Sequence, residues 1–272
     1  MPLRYLRPLR AIGDSHSGPL NGLILVDPAT GEPDTFGQAW CVQGLSTRTA
    51  LQPDGEPHTA VIAALAGFHL LRSLSYDYTG DAVKVKLGDR HFTASFLAKT
   101  APVLFLAGEL DAREIVASIP GDAEPLLPFE ADLSALPSTG AGAPVPAAVL
   151  QERIVRTFRP LFSMLQKLKR LGLERIALAS LPPPTPDDDE YFRLTGVRCS
   201  ARSRYAVHLF INSLLRTYCT QSDTIFIDTW EQVTDDNVVK PGYLVDGLHF
   251  GPEGAEAVLQ QLRTLVLEVS VP

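Results

Sequence analysis

Apolar positions along the chain fall into two patterns. Short, mostly apolar runs at Leu9–Ile12, Val103–Ala107, Ile176–Leu181 and Thr224–Ile227 read as strands, the central ones buried on both faces. Longer stretches space their apolar residues by three and four, as one face of a helix does. These are Thr59–Leu74 (Val61, Leu65, Phe68, Leu71), Val149–Leu171, Arg204–Tyr218, and a last segment from Pro252 with Ala255, Val258, Leu259, Leu262 and Val266 on one side. Pro160 predicts a kink in the second helix, and Pro252 suits a first helical turn. Gly22–Val26 and Phe36–Val42 flank the turn-rich Asp27–Pro33 and read as a hairpin. Val83–Phe96 alternates around Gly88-Asp89 and reads as a second, smaller one. Ala135–Ala148, rich in Ala, Gly, Pro and Ser, reads as a loop.

Strands alternate with helices, no repeat period is visible, and the 272 residues suffice for a large core. The expectation is a single α/β domain over residues 1–272: a parallel sheet of about five strands, helices on both faces, and small hairpin insertions. Ligands of such sheets bind beyond the carboxyl ends of the strands.

Composition narrows the function classes. A net charge of −7 disfavours nucleic acid and anionic membranes as partners. Lys167, Lys169 and Arg170 follow the apolar stripe of a helix and read as a solvated face. Cys41, Cys199 and Cys219 are odd in number and widely spaced, which suggests neither a disulfide framework nor a zinc ribbon. Met1–Arg10 holds no apolar run of signal-peptide length, and no stretch is long and apolar enough to span a membrane, so a cytoplasmic location is expected. His58, His69, His91 and His208 lack metal-ligand spacing, no metal site is expected, and Asp187–Glu190 reads as a solvated acidic loop rather than a calcium site. Phe158, Phe162, Phe210 and Leu215 read as core.

Two short motifs carry chemistry. Ser15 follows the first strand in Gly13-Asp14-Ser15, and a serine hydroxyl becomes a nucleophile when a base takes its proton. His249 stands in Asp246-Gly247-Leu248-His249, just before the last helix. Asp246, three residues earlier, is spaced to hold one ring nitrogen and leave the other for Ser15. Each motif alone is also what an ordinary turn uses.

Together, in this order and at opposite ends of the chain, they resemble the first and last blocks of SGNH (GDSL) hydrolases. Gly44, in Val42-Gln43-Gly44-Leu45-Ser46, is the candidate for that family's second-block glycine. The resemblance implies a flavodoxin-like three-layer α/β/α sandwich and ester chemistry without metal or cofactor. It implies a triad of Ser15, His249 and Asp246, and an oxyanion hole built on the Ser15 and Gly44 amides.

The third block departs from the family. Gly108-Glu109-Leu110-Asp111 stands where Gly-x-Asn-Asp is usual, and a leucine side chain cannot donate a hydrogen bond to an oxyanion. Losing one such donor typically costs about 10²–10³ in rate. Some family members share this variant, with an acidic residue after the glycine and an arginine two places after the aspartate. Arg113 is one candidate for a replacement donor. A slow or specialised enzyme and a site that no longer catalyses are the others. Glu109 and Arg113 read either as an ion pair at a strand-to-helix turn or as contacts to a polar substrate, and His16 reads as a substrate contact or as packing. Asp111 reads as a helix cap. The expected function is hydrolysis of a carboxylic ester, on a small molecule or an O-acylated carbohydrate. The alternatives are an acyltransferase using the same residues and a noncatalytic binding module on the same scaffold.

Overall fold

The structure is a computed structural model that describes residues 7–42, 45–67, 77–79, 82–87, 90–94, 102–120, 123–138, 142–170, 173 and 175–268. In chain order, β1 (Arg7–Gly13) leads into a 3₁₀ helix (Ser15–Leu20), then β2 (Ile24–Val26), β3 (Pro33–Cys41) and α1 (Thr59–Gly67). A small antiparallel unit follows, of β4 (Asp77–Thr79), β5 (Ala82–Leu87) and β6 (Arg90–Ala94). Next come β7 (Val103–Leu106), α2 (Glu109–Ala117), α3 (Ala147–Arg170), β8 (Ile176–Ala179), α4 (Asp188–Thr195), α5 (Ala201–Gln221) and β9 (Ile225–Ile227). The order ends with α6 (Trp230–Val233), the ribbon β10 (Thr234–Asp235) and β11 (Val238–Val239), and α7 (Pro252–Glu268).

The main sheet has the order β2-β3-β1-β7-β8-β9. The five strands from β3 to β9 are parallel, and β2 adds a sixth, antiparallel one at the edge. The first expected hairpin is present, but its second arm enters the parallel sheet beside β1, which makes the sheet larger than five strands. The second expected hairpin is β5–β6, joined by β4; its Gly88-Asp89 turn lies outside the described residues, as does the Phe68–Leu74 end of the expected first helix. Helix α3 runs on through Pro160.

Each central strand is buried on both faces, and its side chains alternate between two cores. Val103 and Phe105 of β7 join one core with α1, α2, α3 and α5, while Leu104 and Leu106 join the other with α7. Phe158, Phe210 and Leu215 belong to the larger core. The acidic run is not a loop: Asp187 caps α4 by accepting the Glu190 amide at 2.9 Å, and Asp188–Glu190 form the first turn, where negative charge suits the helix dipole.

The middle of the sheet leaves no room for a side chain at the end of β1. A Cβ on Gly13 would lie 2.3 Å from the Leu106 carbonyl oxygen of β7. Gly13→Ala is expected to destabilise the protein by about 1–3 kcal/mol through forced separation of β1 and β7. Thermal and urea denaturation measure this directly, and an unchanged midpoint would contradict the tight strand approach.

Candidate active site

The carboxyl ends of β1, β7 and β8 and the turn before α7 meet at one edge of the sheet. After β1 the chain bends at Asp14, whose amide donates to the Leu106 carbonyl at 3.1 Å and whose carboxylate accepts the His16 amide at 2.9 Å. This cap starts the 3₁₀ helix and leaves Ser15 exposed at its first position, where amides lack an intrahelical acceptor.

The turn before α7 is closed by Val245 N–H to His249 O at 2.9 Å, and Gly247 bends it with φ +83°. A Cβ at Gly247 would meet the Glu190 carboxylate of α4 at 2.8 Å and displace it, and the positive φ disfavours any other residue there. Within the turn, Asp246 accepts the amides of Leu248 at 3.0 Å and His249 at 2.8 Å on one carboxylate oxygen. The other oxygen lies 2.7 Å from His249 Nδ1. An ionised carboxylate only accepts, so Nδ1 carries the proton and Nε2 of the neutral ring is the acceptor. Ser15 Oγ stands 2.8 Å from that Nε2 and donates to it. The structure thus brings Ser15, His249 and Asp246 into one hydrogen-bonded chain. Burial pushes the Asp246 carboxyl up, but the bonds from the His249 amide and ring and from the Leu248 amide outweigh it and hold the group below its ordinary value.

Behind this exposed chain lies a buried charged cluster. His16 and Glu109 are 2% and 4% exposed. His16 Nε2 is 3.7 Å from Glu109 Oε2, an ion-pair distance too long for a hydrogen bond, and Arg113 Nε donates to the other Glu109 oxygen at 2.5 Å. Of the two readings of Glu109 and Arg113, the ion pair is present. The reading of His16 and Glu109 as substrate contacts meets a correction: both face the interior, beneath Ser15. The cavity beside them, bounded also by Asp14, Ser180 and Phe250, has a volume of about 10 Å³, too small for a substrate. Arg113 keeps one-fifth of its side chain exposed, with Nε taken up by Glu109.

Burial would raise the Glu109 carboxyl, but His16 and then Arg113 bring it down to about 2. Burial would lower His16, and the Glu109 and Asp14 carboxylates hold it above its ordinary value. Asp14 is raised by burial, against the pull of His16.

Gly44 lies outside the described residues. The chain just after it is held by Asp111, which does not cap its own helix. Its two oxygens accept the Thr47 amide and hydroxyl, each at 2.7 Å. Leu110, half-buried in the first turn of α2, offers no donor. Arg204, fully buried on α5, had no signal in the sequence because it sits in a helix like any surface cation. Its guanidinium donates at 2.8 Å to Asp188 and to the carbonyls of Cys199 and Thr185. The Thr185 amide in turn donates to the Gly247 carbonyl at 3.0 Å, so the loop after β8 holds the turn that carries His249. Asn212 closes the same strand end by bonding both the amide and the carbonyl of Leu181. His208, donating Nδ1–H to the Pro182 carbonyl at 2.8 Å, is a core histidine that burial lowers to about 4. Among the described residues, no group of three or more His, Cys, Asp or Glu side chains is placed to hold a metal ion, and no helix is long and apolar enough to cross a membrane.

No protein-family model matches the chain, and no curated protein matches its sequence. Solved structures do show a likeness to it. A protein from Streptococcus pneumonia, described as a candidate platelet activating factor, is 15% identical with a TM-score of 0.50, over 98% of this chain and 86% of that one. The lipase/acylhydrolase from Enterococcus faecalis is 16% identical with a TM-score of 0.44, over 98% and 99% of the two chains. A GDSL-like lipase from Bacteroides thetaiotaomicron is 13% identical with a TM-score of 0.46, over 96% and 88%. Of these, the first alone bears on the fold, and at 15% identity with a TM-score of 0.50 it supports the α/β architecture and nothing finer.

The buried pair predicts a stability profile. The Glu109 contribution is present above its ordinary value of 4.5 and is lost as pH falls through about 2. His16, raised in the fold, contributes fully below its ordinary 6.5 and loses that contribution as pH rises through its folded value. Glu109→Gln is therefore expected to cost about 3–5 kcal/mol, with the largest difference from the parent protein between the two ordinary values. Urea titrations across pH would show a maximum there; a pH-independent difference would contradict the ion pair.

Proposed function

We propose that the chain is a serine-dependent hydrolase of carboxylic esters of the SGNH (GDSL) type. The observation that carries this reading is the hydrogen-bonded chain from Ser15 Oγ through His249 to Asp246. In the proposed reaction Ser15 Oγ attacks the acyl carbonyl carbon while His249 Nε2 takes the hydroxyl proton. Asp246 keeps the ring in the tautomer that can accept it and stabilises the imidazolium that forms. In this reading the Ser15 and Gly44 amides are the donors assigned to the developing oxyanion. The tetrahedral adduct collapses, the bond to the alcohol oxygen breaks, and His249 returns the proton to the leaving alkoxide. Water, deprotonated by the same ring, then attacks the acyl-serine and releases the acid and Ser15. An alcohol in place of that water would make the enzyme an acyltransferase.

The expectation of a polar or carbohydrate carrier leaned on Glu109 and Arg113. With Glu109 buried and the Arg113 Nε engaged, the proposal stops at carboxylic esters. Leu110 is the one feature that favours the binding module instead, because a side-chain donor is missing where charge would develop.

A fluorophosphonate probe and p-nitrophenyl acetate separate the two. Covalent labelling at Ser15 is expected, abolished in Ser15→Ala and slowed at least about 10³-fold in His249→Ala, with Asp246→Asn slowed about 10²–10⁴-fold. No labelling and no hydrolysis at any pH from neutral to mildly alkaline would refute the enzyme and leave the binding module.

A further inference from the structure

We propose that His16 is a positioning residue for His249: paired with Glu109 and Asp14 in the buried cluster, its ring lies charged against the His249 ring and, by like-charge repulsion, keeps that ring in the unprotonated form a base needs. The inference rests on the reading of His249 as the base of Ser15.

The geometry is specific. The centroids of the His16 and His249 rings are 5.0 Å apart with planes tilted by 34°, and Phe250 closes the other side of His16 edge-on at 6.1 Å. His16 is thus wedged between the base and a carboxylate, one residue after the nucleophile. The charged and titratable groups around it come from each packed element. Asp14 comes from its own segment, Glu109 and Arg113 from α2, His208 from α5, and His249 from the turn before α7. Asp14, Glu109 and Arg113 sum to one negative charge when ionised, and a protonated His16 brings the buried set to neutrality. A neutral His16 would leave an unbalanced anion in a site with almost no access to water, which the interior strongly disfavours.

The consequence for chemistry follows from distance. The His16 charge, 5.0 Å from the His249 ring, disfavours a second positive charge there relative to an uncharged side chain in its place, against the Asp14 and Asp246 carboxylates that also face His249 and favour that charge. The Ser15–His249 pair is then competent at a lower pH than it would be with an uncharged residue at position 16. Glu109 and Arg113, the two residues that set this family variant apart beside Leu110, act here through His16 rather than on the substrate.

Ring NMR of the histidines in the intact protein tests this without relying on catalysis. His249 is assigned by loss of its signals in His249→Asn, and His16 by loss of its signals in His16→Asn. In the parent protein His16 is expected in the imidazolium form at neutral pH. In His16→Asn the His249 titration midpoint is expected to rise by about 1 pH unit, and in Glu109→Gln the His16 midpoint is expected to fall. The acid limb of fluorophosphonate labelling should move with the His249 midpoint. A neutral His16 at neutral pH in the parent protein, or a His249 midpoint within about 0.2 unit of the parent value in His16→Asn, overturns the proposal. The parent spectrum decides the first point even if His16→Asn does not fold, and His16→Gln serves as its substitute for the second. The two readings fail separately. A shifted His249 midpoint in a protein that never labels refutes the hydrolase, whereas labelling with an unmoved midpoint refutes the role of His16.

Discussion

The packing of α7 onto the β1 face of the sheet is the constraint on which the site depends. Phe250, Ala255, Val258, Leu259 and Leu262 share one core with Leu9, Ala11, Leu20 and Leu104. Burying large aliphatic and aromatic side chains contributes roughly 1.5–3 kcal/mol each, as an upper estimate. A serine–histidine hydrogen bond nets only about 0.5–1.5 kcal/mol. The helix therefore docks for hydrophobic reasons, and the contact between residues 234 apart in sequence follows from the docking. The loop-closure entropy of so long a separation grows only logarithmically with length, so distance along the chain is a weak obstacle.

Electrostatics at the two depths of the site differ in kind. Asp246 and His249 are partly solvated, and Asp246 is held ionised by three hydrogen bonds from its own turn. Beneath them, Glu109, His16 and Asp14 are nearly inaccessible. Both His16 ring nitrogens and one Asp14 oxygen make no hydrogen bond to the described residues. Desolvating such groups costs several kcal/mol each, and an apolar set of similar volume would stabilise the fold as well or better. A cost of this size, placed against the exposed serine–histidine pair at this edge of the sheet, is what directs the proposed function to this place in the fold.

Much of this was legible in the sequence because it is carried by local periodicity. The short strands at Val103–Leu106 and Ile176–Ala179, the helix from Pro252 and the β5–β6 hairpin follow from patterns a dozen residues long. The Asp246–His249 contact was legible for the same reason, since both ends lie within one turn. What was illegible depends on partners distant in the chain. Asp111 has the composition of a helix cap and instead reaches Thr47, and Arg204 looks like a solvated helix residue and is the anchor of the Thr185 loop. Asp187–Glu190 could be a loop or a helix start from composition alone; the capping bond of Asp187 decides it. Burial of Glu109 and His16 was hidden too, because nothing in a strand-to-helix turn says which face meets the neighbouring element.

The first turn of α2 shows how one short segment serves two places. Residues 109 and 113 are one turn apart and share a side, which faces the cluster under Ser15, while residue 111 points away from it, toward Thr47. Leu110 falls between these faces and enters neither set of contacts. Asp111 still ties down Thr47 through two short bonds. Leu110 thus offers the proposed site no side-chain donor and leaves its frame intact. Any deficit in catalysis is expected to appear in the chemical step rather than in folding or in the placement of Ser15 and His249.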